Sequence, residues 1–197
     1  MTPALDDLPP TAAWRHEASR NGHEVAFFKN VPGGVRLEGY TAAVEDGQAW
    51  VVGYEIVVNQ AWRTNSARVW TRSRSGEREV RVQAAGSRRW LIDGAAAEHL
   101  DGCIDVDLES SACTNTLPVH RLALGVGETG ESPAVYLRAL DLGIERLEQR
   151  YHRVADDDGA TRRRFHYSAP RFDYNDHLVY DLHGLVLDYP GIATRIL

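Results

Sequence analysis

Cysteine is almost missing from this chain: Cys103 and Cys113 are its only two in 197 residues. A disulfide-stapled small scaffold is therefore excluded, and both thiols are expected to be free, buried and packed as small apolar side chains. No apolar run approaches the length of a membrane span. The opening stretch MTPALDDLPPTAAWRH has no basic segment leading into an apolar one, so it does not read as a secretory signal. The expectation is a cytoplasmic protein without integral membrane association.

Familiar catalytic and metal patterns are missing as well. There is no GxSxG elbow, and the eight histidines form no HxH, HExxH or HxxxH pair. GVGETG at 125–130 has neither a following Lys-Ser/Thr nor a helix opening after it, so it reads as a hairpin loop and not a phosphate cradle. No cofactor and no metal are expected. A net charge of −6 argues against a general nucleic-acid partner, which needs a basic surface to neutralise phosphates.

What is present is an ordinary globular balance, 43% apolar and 25% charged. The length suits one β domain over 1–197, with 1–12 expected to be flexible. Most segments alternate with a period of two, the mark of half-buried strands. Residues 35–44 (VRLEGYTAAV), the turn signal EDG at 45–47 and residues 48–58 (QAWVVGYEIVV) predict a hairpin with Tyr54, Ile56 and Val58 on one face. Further strands are expected at 24–28, 64–74, 78–84, 88–92, 103–108, 117–124, 134–139, 147–154, 163–168, 177–182 and 185–189. Helix is scarce, with one turn expected near 95–100. RLEGY and VGYEI at 36–40 and 52–56 are echoed by RLEQRY and FHYSA at 146–151 and 165–169. The fold class is thus all-β and mainly antiparallel, one large curved sheet forming a partly open barrel from what the echo suggests are two similar meanders.

Charge is segregated along the chain. Eight arginines stand between Ala61 and Trp90 against two acids, while 93–109 carries six acids and no Arg or Lys. Either these are solvated or cross-strand-paired faces, or the arginines line a surface for an anionic head group. In 103–108 alternation places Asp105 and Asp107 on one face, where paired carboxylates can bind sugar hydroxyls, hold a hard cation or share a proton. In 114–121 an extended reading puts Asn115 and Arg121 on one side, with Pro118 marking an edge strand or bulge beside a cavity. The five tryptophans all lie within the first ninety residues. Trp62 and Trp70, standing among polar neighbours, are expected to be half-exposed in a concave face. The cations at 162–164 are expected in solvent at a strand entry.

Several pieces carry a resemblance in the same order along the chain: Trp14-Arg15, GYEI at 53–56 with Trp62-Arg63-Thr64 behind it, LDGCIDVDL at 100–108, TNTLPVHRL at 114–122, QRY at 149–151 and LVLDYPG at 185–191. With them the chain resembles a bacterial family named for glycolipid binding. That resemblance implies a large antiparallel sheet curling into a partly open barrel, like that of lipoprotein-localisation factors. It also implies a small amphiphilic partner, a glycolipid or acyl compound, held in an apolar groove. The residues assigned to ligand contact are Tyr54, Trp62, Trp70, Asp105, Asp107, Asn115, Arg121, Arg150 and Tyr151. Two alternatives stand beside non-catalytic binding: a lipid- or sugar-directed hydrolase using Asp105 and Asp107 with a distant histidine, and a protein-interaction module using exposed sheet edges.

Overall fold

The computed structural model describes residues 5–18, 20–86, 88–156 and 161–197. Its first half is an up-and-down meander of β1 (Thr11–His16), β2 (Arg20–Val31), β3 (Gly34–Glu45), β4 (Gln48–Asn59), β5 (Thr64–Ser73), β6 (Gly76–Ala84), β7 (Trp90–Ile92) and β8 (Ala95–Ala96). The alternation in β4 is realised residue by residue: Trp50, Val52, Tyr54, Ile56 and Val58 are buried, whereas Val51 is exposed and Glu55 and Val57 half-exposed. Asp46 and Gly47 both take positive φ, 50° and 73°, as a two-residue turn matched to strand twist requires. Two glycines make room for rings on the neighbouring strand. A Cβ on Gly39 would come within 2.2 Å of the Tyr54 ring, and one on Gly53 within 2.3 Å of the Trp70 ring.

The second half adds β9 (Asp105–Leu108), α1 (Thr116–Leu122), β10 (Thr129–Glu131), β11 (Ala134–Leu137), β12 (Ile144–Leu147), β13 (Arg150–Val154), β14 (Arg163–Ala169), β15 (Tyr174–Tyr180), β16 (Val186–Tyr189) and β17 (Ala193–Arg195). β17 pairs antiparallel with β1, so two meanders join into one sheet of fourteen strands, ordered β10-β13-β14-β15-β16-β17-β1-β2-β3-β4-β5-β6-β7-β8. The terminal strands β8 and β10 do not pair, and the curved sheet stays open. The echoed segments fall on the antiparallel pairs β3–β4 and β13–β14, but the second copy is interrupted where the chain passes from β12 to β13.

A second layer fills the concavity. β12, β11 and β9 form a three-stranded sheet in which β9 and β11 run parallel, and every residue of β9 and β11 is buried, as expected of a strand covered on both faces. Val106, Leu108, Leu117, Val135 and Leu137 pack against the first meander with Trp50, Tyr54 and Ile56. Val119, Tyr136 and Leu147 pack against the second with Tyr151, Phe165 and Tyr180. The apolar groove expected inside the barrel is therefore largely occupied by the chain itself.

A carboxylate anchors this inner layer. Glu24, fully buried on the inner face of β2, accepts hydrogen bonds from the Tyr54 hydroxyl at 2.8 Å, the Ala112 amide at 2.8 Å and the Cys113 amide at 3.4 Å, and from the Ser111 hydroxyl. Thr41 adds a bond from its hydroxyl to the Ser110 carbonyl at 2.7 Å. Burial pushes the Glu24 carboxyl up from 4.5 to about 7, against the pull of its donors.

Several expectations are corrected. Residues 117–124 are not a strand: the chain makes a 3-10 turn at Cys113–Asn115 and continues into α1. Pro118 falls in the first helical turn, where a missing N–H is tolerated as well as it is on an edge strand. Residues 147–154 divide between the two sheets as β12 and β13. Arg163 is buried and not in solvent. Thr11 and Ala12, expected in a flexible terminus, belong to β1, and the Asp6 amide bonds the Leu182 carbonyl at 2.9 Å; residues 1–4 lie outside the described residues. Both cysteines are free and buried, and burial raises the Cys103 thiol to about 11.

The Glu24 cluster generates a signed prediction. A carboxyl whose folded pKa lies above its unfolded value contributes stability that is complete below about 4.5 and lost as pH rises through about 7. Glu24→Gln should therefore show wild type losing stability relative to the variant between those pH values and a constant difference above them, read by urea denaturation. Glu24→Ala should cost about 3 kcal/mol, because it orphans buried donors.

Candidate functional site

The inner layer stops short of the second meander at the end of the sheet that carries the β1–β2, β14–β15 and β16–β17 turns. It leaves a cleft of about 330 Å³. One wall is aromatic, because inward positions of consecutive strands supply tyrosines: the rings of Tyr167, Tyr174 and Tyr189 lie 5.3 to 5.9 Å apart in tilted and edge-on contacts. Tyr136 from β11 and Phe172 from the β14–β15 turn, 5.2 Å apart, continue that wall. Burial raises the Tyr136, Tyr167, Tyr174 and Tyr189 hydroxyls, so they remain protonated donors.

The polar groups of the cleft are few and placed. Asp107 accepts from the Thr114 hydroxyl at 2.8 Å and the Gln149 side-chain amide at 2.5 Å; burial outweighs these donors and lifts it from 3.8 to about 6. Asn115 lines the cleft and receives the Tyr151 hydroxyl at 2.8 Å. His16, 4% exposed at the end of β1, has no partner within full hydrogen-bond geometry on either ring nitrogen among the described residues. Burial is the main cause that lowers it to about 4, with Arg20 assisting, against the pull of the nearby Ile192 and Ser110 backbone. The ring is thus neutral near pH 7, with one nitrogen a donor and the other an acceptor. At the rim Arg20 pairs with Glu45 at 3.1 Å and Glu109 at 3.4 Å. No group of three or more metal-ligating side chains lies together among the described residues.

Of the residues singled out from the sequence, Asp107 and Asn115 line this cleft, and Tyr151 stands directly behind Asn115. The others go elsewhere. Asp105 is held by Arg121 through contacts of 2.6 to 3.1 Å and receives the Ser132 hydroxyl at 2.5 Å, a buried pair that ties α1 to β9. Arg121 therefore faces inward on a helix and does not stand on a strand rim. Tyr54 is fully buried beneath Glu24. Trp62 and Trp70 are both half-exposed. Neither reaches the tyrosine-walled cleft: Trp62 packs against the core and stacks on the His120 ring at 3.7 Å near the opposite end, and Trp70 lies on the outer face with Arg68 5.4 Å from its ring. Arg150 is exposed and paired with Glu131 at 2.7 Å. His16 and the tyrosine wall escaped sequence reading. A signal existed, since six of the eight tyrosines follow residue 130.

Residues 11–195 match the family model described as "Putative glycolipid-binding". Among solved structures, a DUF1089 family protein from Pseudomonas aeruginosa is similar at 28% identity with a TM-score of 0.75, covering 93% of this chain and 95% of its own. A beta-barrel-like protein of the domain of unknown function DUF1849 from Brucella abortus shares the fold at 10% identity and a TM-score of 0.51, covering 98% and 96%. No curated protein matches.

The Asp105–Arg121 pair supplies a second prediction. Asp105→Ala, leaving a guanidinium buried without its partner, should destabilise the fold by about 3 to 5 kcal/mol in urea denaturation. Replacing both partners, Asp105→Leu with Arg121→Met, should recover most of that loss.

Proposed function

This chain belongs to the glycolipid-binding family, and on that premise we propose that the tyrosine-walled cleft binds the sugar head of a small amphiphile without transforming it. The observation that carries this reading is His16, a buried neutral imidazole with no full hydrogen bond on either nitrogen among the described residues, bordering an aromatic cleft that also contains Asp107 and Asn115. A sugar offers apolar ring faces to stack on tyrosines and hydroxyls to pair with such groups. The cleft, about 330 Å³, is at the small end of ligand pockets, which run from roughly 300 to 1,000 Å³. It suits a head group, with an attached chain leaving past Phe172 and Ile192 at the mouth.

Magnitudes support this division of labour. Hydrogen bonds of about 0.5–1.5 kcal/mol each and ring contacts of similar size hold a sugar weakly. Each methylene that finds apolar cover adds about 0.8 kcal/mol. A hydrolytic reading would need Asp105 as the working partner of Asp107. Arg121 and Ser132 already engage Asp105, and so the geometry favours binding.

The test is titration calorimetry with octyl glucoside, methyl glucoside and octanoate. Octyl glucoside should bind most tightly, methyl glucoside weakly and octanoate least. Tyr174→Ala and His16→Phe should each weaken octyl glucoside about tenfold. Octanoate binding as tightly as the glucoside, or variants binding as wild type does, would remove the sugar-head assignment.

A further inference from the structure

The tyrosine cleft leaves the arginine-rich run unexplained. Part of that run is neutralised: Arg68 meets Glu79 at 2.7 Å and Arg72 meets Glu77 at 3.2 Å across the β5–β6 pair, and Arg81 meets Glu79 at 3.3 Å within β6. Arg63, Arg88 and Arg89 form no ion pair and no side-chain hydrogen bond among the described residues. They converge where the β4–β5 and β6–β7 turns meet, on a cleft of about 430 Å³ that no Asp or Glu lines. This lies at the opposite end of the sheet from the tyrosine wall. Three cations without an ion-pair partner among the described residues thus line one concavity on a chain of net charge −6.

Hydrogen bonds hold the described backbone on which they stand. The Asn59 side-chain oxygen accepts the amides of Ala61 and Arg63 at 2.9 and 3.1 Å, locking the first turn. In the second, the Arg89 amide bonds the Gly86 carbonyl at 3.0 Å, and the Arg88 carbonyl takes the Gly102 amide at 2.8 Å. Arg88 is itself held at a φ of 60°, a left-handed conformation that a non-glycine residue keeps only where its surroundings impose it. Trp90 adds a buried indole, oriented by its bond to the Cys103 carbonyl at 3.1 Å.

We propose that this cleft is a second binding site, for a phosphate group carried free or on a lipid head. Guanidinium forks match the oxygens of phosphate and pair with them bidentately. Because all three arginines are exposed, the interaction is screened and weakens as salt rises.

The experiment is a ¹H–¹⁵N NMR titration of the full chain with inorganic phosphate, against sodium chloride at matched ionic strength. A parallel arm measures co-sedimentation with phosphatidylcholine vesicles containing about one-fifth phosphatidylglycerol, against phosphatidylcholine alone. Phosphate should give saturable shifts at the amides of Arg63, Arg88 and Arg89 and at the Trp90 indole that chloride does not. The triple variant Arg63→Ala, Arg88→Ala, Arg89→Ala should weaken binding at least tenfold, while Arg68→Ala with Arg72→Ala should leave it within twofold. Co-sedimentation lost in the triple variant identifies a lipid-borne phosphate; saturation by inorganic phosphate without vesicle binding identifies a soluble one. Shifts no larger than chloride produces with no vesicle binding, or binding that survives in the triple variant, overturns the site. Either result leaves the sugar-head reading untouched, because the two clefts share no residue.

Discussion

The structure depends on one buried carboxylate. Glu24 projects from β2 into the concavity and gathers the Tyr54 and Ser111 hydroxyls with the Ala112 and Cys113 amides. A buried acid is costly unless its oxygens are occupied by donors, and here the donors come from both layers. The same contact therefore satisfies the acid, ends β9's outgoing turn and sets the start of α1. Once that turn is pinned, Leu117 faces one meander and Val119 the other, and Arg121 reaches Asp105.

The inner layer in turn defines what remains open. An uncovered curved sheet of this size would enclose a long apolar trough, but β9, α1, β11 and β12 occupy most of it. The remaining space lies between Asp107 and Asn115 on the inner layer and tyrosines on the outer one. Polar groups and aromatic rings thus face one space, with His16 supplied by the sheet and Tyr136 by the inner layer. The arginine cleft at the other end arises differently, from two hairpin turns on neighbouring strand pairs.

Much of the outer sheet was legible in sequence because a strand's side-chain period is local. QAWVVGYEIVV reads inward and outward without reference to any distant residue, and Asp46-Gly47 announces its own turn. The half-exposure of Trp62 and Trp70 was legible for the same reason, since their immediate neighbours are polar. Their location was not, because whether an outward or inward face is concave is a property of the whole sheet. TNTLPVHRL was misread, since Pro118 is compatible with an edge strand and with a first helical turn alike.

The sequence by itself determined an all-β chain, its hairpins and its family, through patterns repeated every two residues and motifs of contiguous letters. Only the tertiary structure decided that Asp105 would be bound to Arg121 while Asp107 borders a cleft, and that Glu24 rather than either aspartate would anchor the interior. Those outcomes join residues between 16 and 89 positions apart in sequence. A carboxylate's role depends on which donors and how much water surround it, and folding supplies both.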